Sequence, residues 1–360
     1  MQQNLSITYM KATGIMLMVL AHCSNFELLY RIVYSFHMPL FFIVSGYCFK
    51  EKYLHEPISF VWKRIKGLWW PYVKWGLLFL LFHNVFIHLN IYGELCKQHL
   101  YSQSEYLMQI ENIFFHMYNT EPFPGGFWFV RALFWGSLIA YFIIKGGEIF
   151  AKFLSFDYKK ICVLGGGAFS LLLWGLINYL HITFTTFYIG PTELMAATFF
   201  IVGHNLAIWG VPRFSPWLCI IAFGIMVVNS FYNLIDSQGP FYETQRIVPY
   251  MITAVMGTWC VYSLPWQQLK GIVSRLMEYV GNHTLAILTW HFLCFKFISL
   301  VIITFYGLPI ERMSEIPALH EYTNRGWFIL YFLVGMVFPL LLVMVKNKIK
   351  EWAGLNILTD

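Results

Sequence analysis

Nine polar or ionisable side chains stand inside long apolar runs of this 360-residue chain: Lys11, His22, His37, Lys74, Arg131, Glu193, His204, His291 and Lys296. Such groups are costly in hydrocarbon and usually face a bundle interior or a cavity, so chemistry is to be sought among them. Lys11 and His22 are the most informative two. Eleven helical residues make three turns plus about 20°, so both side chains share one face about 16 Å apart. An imidazole titrates near neutral pH and suits a base or a nucleophile. Carboxylates that would merely pair with these groups are scarce, Glu193 being the clear one inside a run. Plainer roles suit several of the others. Lys74 can snorkel from the end of its run, His204 suits a structural place, and His37, Arg131 and Glu193 lie near run ends where an interfacial position is cheap. Lys11, Glu193 and Lys296 would also suit the proton or substrate path of a transporter or flippase, the rival reading. Against it, no two halves with matching discontinuous spans are visible.

The elements that must position these groups are set by composition. The chain is 58% hydrophobic and 12% charged, half of the roughly 25% charge of a soluble globular protein. The apolar residues come in uninterrupted runs that suit lipid as solvent. The expected class is an all-α integral membrane protein, a single domain over 1–360 forming a bundle of about ten transmembrane helices. The segments are about 7–24, 36–49, 69–90, 127–145, 161–180, 188–209, 216–233, 247–264, 284–306 and 327–345. The second is short for a span of about 20 residues, so it starts inside the preceding hairpin or is partly unwound.

Loop charge gives the orientation. Lys50, Lys52, Lys63, Arg64 and Lys66, then Lys145, Lys152, Lys159 and Lys160, and finally Lys346, Lys348 and Lys350 all fall on one side of a ten-span arrangement. The opposite side is acidic, with Glu94, Glu105, Glu111, Glu121, Glu311, Glu315 and Glu321. The positive-inside rule puts both termini in the cytoplasm, and an odd span count would break the bias. The net charge of +6 follows this topology and is not a nucleic-acid footprint. The first run contains Lys11 and lacks a cleavage pattern, so it is expected to be a retained span. Seven scattered cysteines without a CxxC pair suggest neither a disulfide framework nor a metal site. The long exterior segment, about 91–126, is expected to be a lid or a re-entrant element.

Several motifs occur in a particular order: Lys11 and His22 with ten residues between them, Phe36-His37-Met38-Pro39-Leu40-Phe41-Phe42 leading to Ser45-Gly46-Tyr47, and Arg64 followed by Pro71-Tyr72. Phe127-Trp128-Phe129-Val130-Arg131 and Gly281-Asn282-His283-Thr284 through His291 complete the set, which covers essentially the whole chain. The ordered set resembles the acyltransferase 3 family of bacterial membrane acyltransferases. Two departures stand out. Lys11 replaces a frequent Arg and so lacks the planar donor fork. Ala132 stands where an acidic residue is common, which leaves Arg131 without a local partner in sequence.

The resemblance implies transfer of an acyl group, commonly acetyl from acetyl-coenzyme A, to a saccharide hydroxyl, with the lipid bilayer and a glycan acceptor as partners. The expected setting is the bacterial inner membrane. No tightly bound cofactor and no metal is expected; acyl-coenzyme A is a co-substrate. Acyl transfer needs a group to deprotonate the hydroxyl and donors for the oxyanion. His22 and His37 are the catalytic candidates, and Ser45 is an alternative nucleophile whose Gly-Tyr context suits helix packing better. Lys11, Lys63, Arg64, Lys66 and Tyr72 are the donor-binding candidates. Arg131, Glu193 and His291 are the acceptor or oxyanion candidates.

Overall fold

Each of the ten apolar segments contains a helix in the structure, a computed structural model that describes residues 5–155, 157, 165–180, 187, 189–210, 212–232 and 247–353. The start of the fifth segment, part of the sixth segment's approach, the basic residues Lys159 and Lys160 and the end of the seventh segment lie outside the described residues. Among those described there is no β-strand. The helices are α1 (Leu5–Cys23), α2 (Glu27–Tyr47), α3 (Pro57–Arg64), α4 (Trp70–Leu81), α5 (His83–His88), α6 (Gln103–Glu111), α7 (Phe127–Phe153) and α8 (Gly167–Tyr179). They continue with α9 (Pro191–Trp209), α10 (Pro216–Phe231), α11 (Ile247–Ser263), α12 (Gly271–Asn282), α13 (Thr284–Tyr306) and α14 (Phe328–Trp352). Six helical stretches are long and apolar enough to cross a membrane: Leu5–Cys23, Glu27–Tyr47, Phe123–Phe153, Ile247–Gln268, Thr284–Tyr306 and His320–Trp352. Helix is thus shown at all ten places, and membrane-crossing length at six.

Local chemistry sets the ends. Pro57, Pro191 and Pro216 occupy first-turn positions, where the missing N–H costs nothing. The Ser215 hydroxyl accepts from the Leu218 N–H and caps α10. The second span starts inside the hairpin, at Glu27 instead of the expected position 36. Glu27 and Arg31 look polar to a hydropathy window, yet they form an ion pair one turn apart on the exposed side of the helix. Only residues 24–26 separate α1 from α2.

The segment 91–126, expected to be exterior, is folded against the bundle. Tyr92, Ile113, Met117 and Phe123 are buried in the main core. His83, fully buried, lies with Nδ1 2.9 Å from the Glu121 carboxylate and Nε2 2.8 Å from the His99 carbonyl, and stacks on Tyr101. Ser102 and Glu105 form a capping box at the start of α6. A hydrogen bond from His99, with others from Ser102, holds the Glu105 carboxyl down at about 2.

At the centre, α2 packs against α1, α9 and α11, and α9 packs against α7. The closest approach is backbone to backbone. A Cβ on Gly46 would lie 1.8 Å from the Phe200 carbonyl oxygen, and one on Gly203 would lie 1.9 Å from that of Ile43. Small residues at such crossings let membrane helices approach closely. Gly46→Ala should therefore force α2 and α9 apart, with an overpacking cost of about 1–3 kcal/mol or more. Its thermal unfolding midpoint in detergent should fall clearly below that of Gly175→Ala, whose added methyl meets nothing within 4 Å. Equal midpoints would show that this crossing does not limit stability.

Candidate active site

Three helix faces converge on one imidazole. On α1 the residues Ile7, Lys11, Ile15 and Met18 line a cavity of about 380 Å³, and the next position on that stripe is His22. On α2 the stripe Cys48, Ser45, Phe41 and Met38 lines the same cavity, and Tyr34 lies one turn further on. On α13, Thr284, Leu285 and Leu288 line it, and His291 and Phe292 follow. These spacings of three and four keep each set on one face. α1 is unbroken over Leu5–Cys23, so the rise of about 16 Å from Lys11 to His22 holds.

At the His22 end the rings are in mutual contact. The Tyr34 hydroxyl is 3.2 Å from His22 Nδ1. The His22 ring centroid lies 5.5 Å from that of His291 and 4.9 Å from that of Phe292. Tyr34 stands edge-on to His37 at 4.9 Å, and His37 and His320 are near enough to His22 to act on its charge. His37 and His291 share a further property. His37 Nδ1 lies 2.7 Å from the Val33 carbonyl, and His291 Nδ1 lies 3.0 Å from that of Ile287. A carbonyl only accepts, so each Nδ1 carries the proton and each neutral ring presents a lone pair at Nε2. Both Nε2 atoms are buried without a hydrogen-bond partner. Among the described residues no group of three His, Cys, Asp or Glu side chains is set to hold a metal ion. The arrangement suits proton handling.

The other end of the cavity is cationic. Lys11, Lys63 and Arg64 line it together with Tyr53 and Ser45. Arg64 donates from Nη1 to the Ser45 hydroxyl at 3.1 Å, and its guanidinium lies 4.9 Å from the centre of the Phe60 ring. Its Nε is buried and unpartnered. Lys63 donates to the Tyr53 hydroxyl at 3.2 Å. Among the described residues Lys11 makes no hydrogen bond and no ion pair, so its charge is free to meet a ligand.

The structure does not bring Lys66 and Tyr72 to this cavity. Lys66 lies over the Trp62 ring at 5.3 Å. The buried Tyr72 hydroxyl donates to the Met117 carbonyl in the 91–126 segment, and it lies within electrostatic range of Arg131. Arg131 has a partner after all, distant in sequence: its Nε is 3.1 Å from Glu193 Oε1, while Glu193 Oε2 accepts from the Gly190 N–H. The two thus sit together on α7 and α9, and His291 sits apart from them beside His22. Lys296 donates to the Met313 and Glu315 carbonyls. Among the described residues no hydrogen bond or ion pair joins any two of Lys11, Glu193 and Lys296. Lys74 lies over Trp75, and His204 is buried edge-on to Phe49.

Tyr34, Tyr53 and His320 were not singled out by the sequence. The signal for Tyr34 was its spacing, three before His37 and one turn beyond the Met38 stripe. It is legible only once α2 is known to begin at Glu27.

The acyltransferase domain of the acyltransferase 3 family matches residues 4–344. No curated protein and no solved structure matches the chain. With nearly its whole length matched, the chain belongs to the acyltransferase 3 family, and the coarse function that membership supports is a membrane acyltransferase.

The Arg131–Glu193 pair generates a test of its own. Glu193 is 1% exposed, so Arg131→Met should leave a buried, uncompensated carboxylate and destabilise the protein by about 3–5 kcal/mol. Adding Glu193→Gln should restore most of the loss in a thermal unfolding assay. A single variant as stable as the parent would mean that the pair does not hold α7 to α9.

Proposed function

We propose that this acyltransferase 3 protein takes an acyl group, acetyl in the simplest case, from cytoplasmic acyl-coenzyme A and places it on a hydroxyl of a cell-surface or lipid-linked saccharide. One observation carries the reading: a single cavity has Lys11, Lys63 and Arg64 at one end, and its helix stripes run into His22, Tyr34 and His291 at the other. An acyl-coenzyme A has matching parts, an anionic nucleotide at one end and a thioester at the tip of a long arm. The nucleotide phosphates would rest against Lys63 and Arg64, with Lys11 meeting a carbonyl or anionic group part-way along. A single ammonium can perform that task without the guanidinium fork.

At the thioester, His22 takes the proton of the acceptor hydroxyl as its oxygen bonds to the acyl carbon. The carbon–sulfur bond then breaks, its electron pair stays on sulfur, and the imidazolium returns the proton to release the thiol. Tyr34, on His22 Nδ1, can pass or hold a proton during the exchange. His37 and His291, with Nδ1 committed to backbone carbonyls, offer Nε2 as acceptors, which suits hydrogen bonds from saccharide hydroxyls. An oxyanion role for His291 would need its protonated form. The terminal nitrogens of Arg131 make no hydrogen bond among the described residues, which leaves them for the acceptor saccharide, while its place apart from His22 argues against an oxyanion role.

This reading needs ten crossings with both termini and the 50–68 and 145–160 loops in the cytoplasm. Lys/Arg asymmetry supports it, as do helices at all ten positions. A single cysteine placed at position 63 of a cysteine-free protein should resist a membrane-impermeant thiol reagent until cells are permeabilised. Labelling in intact cells would reverse the orientation.

The two ends of the cavity should also separate in experiment. His22→Ala at normal expression should lose transfer by roughly 10²-fold or more while still binding acetyl-coenzyme A. Lys11→Met should weaken donor binding by calorimetry, and Lys11→Arg should be near neutral. A His22→Ala variant keeping more than about a tenth of the rate would remove His22 from the chemistry. Unchanged donor affinity in Lys11→Met would remove Lys11 from the donor site.

A further inference from the structure

The cavity stops one layer short of the imidazoles. Its lining includes Met18, Met38 and Leu288 but not His22, Tyr34 or His291, which lie three or four residues further along the same helix faces. The three lining side chains are nearly closed off, at 2%, 8% and 5% exposure. They form a floor about one helical turn, roughly 5 Å, below the reacting group. A thioester carbon resting in the cavity would therefore not touch His22 until this layer opened.

The members of the layer differ in freedom. Leu288 is wedged against the α7 approach, where even an added Cβ on Gly126 would come within 2.7 Å of its Cδ1. Around the layer, Phe41, Phe42 and Phe129 are locked ring to ring at centroid separations of 5.0–5.6 Å. Methionine is unbranched, with three rotatable bonds, and swings more cheaply than either neighbour type. Only Met18 and Met38 combine position in the layer with that mobility.

We propose that Met18 and Met38 form a movable septum that selects acyl groups by size, admitting short ones to His22 and holding back long ones. The inference deepens the acyl-coenzyme A reading above and rests on it. Swung aside, the two thioethers free only the room their own side chains occupied, enough for a few carbons. The rigid rings and Leu288 bound that room on the remaining sides.

The test uses purified full-length protein with acetyl-, butyryl- and octanoyl-coenzyme A, measuring both donor affinity and transfer. The parent should use acetyl best and octanoyl poorly. Met18→Ala and Met38→Ala should raise the octanoyl-to-acetyl ratio of kcat/KM at least tenfold. Met38→Ile keeps bulk but stiffens the side chain; it should leave acetyl-coenzyme A affinity unchanged while slowing acetyl transfer at least tenfold. This variant keeps the volume filled, so it reports even if an alanine variant fails to fold. An unchanged chain-length ratio in a folded alanine variant that still transfers acetyl would overturn the septum and leave the donor assignment intact. So would unimpaired transfer by Met38→Ile. A parent that neither binds nor transfers from any of the three donors would overturn the donor reading and the septum with it.

Discussion

The crossing of α2 and α9 is the contact on which the rest of this bundle hangs. Two glycines, Gly46 and Gly203, each place their backbone against a carbonyl of the other helix with no room for a methyl group. Backbone-to-backbone contact has no side-chain torsions in which to absorb a shift, so it fixes α2 more tightly than interdigitated leucines would. α2 in turn carries Tyr34, His37, Met38 and Ser45, and a three-residue connection ties it to α1 with Lys11 and His22. Tyr34 and His37 thus take their position from a steric lock near the opposite end of the same helix.

A second constraint is the poor solvation available in the interior. An unpaired polar group there is expensive, and most of the ionisable groups are matched: Arg131 with Glu193, Lys296 with two carbonyls, His83 between a carboxylate and a carbonyl. Unpartnered buried atoms also occur elsewhere, on indoles, amides, hydroxyls and the Glu121 carboxylate. His37 Nε2, His291 Nε2 and Arg64 Nε differ from these in placement: the two imidazole nitrogens lie around His22, one layer beyond the cavity, and Arg64 lines its other end. Groups of those types, left without partners, would suit the ligand proposed above.

Much of this could be read from the residues alone. Uninterrupted apolar runs located helices at ten places, and the Lys11–His22 spacing placed the two side chains on one helix face, because both depend only on local helix geometry. The rest depended on contacts that spacing cannot express. The first nine residues of α2 were lost to hydropathy because Glu27 and Arg31 neutralise each other one turn apart, and Tyr34 was lost with them. Arg131 lacks a local partner in sequence, as expected, and Glu193 reaches it from a helix 62 residues later. Tyr72 was grouped with the basic loop by sequence proximity to Arg64. The five-residue π-helical segment Ile65–Trp69 and the start of α4 carry it instead to the Met117 carbonyl.

The unbroken course of α1 has a corollary. A helix that sets Lys11 and His22 apart by a fixed rise behaves as a ruler, and a ruler tolerates repainting better than a change of length. Substitutions on its lipid-facing side leave the separation untouched. A single inserted or deleted residue between positions 11 and 22 would turn one group by about 100° relative to the other and shift it by about 1.5 Å. Lys11 and His22 would then no longer share one face of the helix. A change of length in this stretch should therefore disturb the face more than a point replacement on its far side.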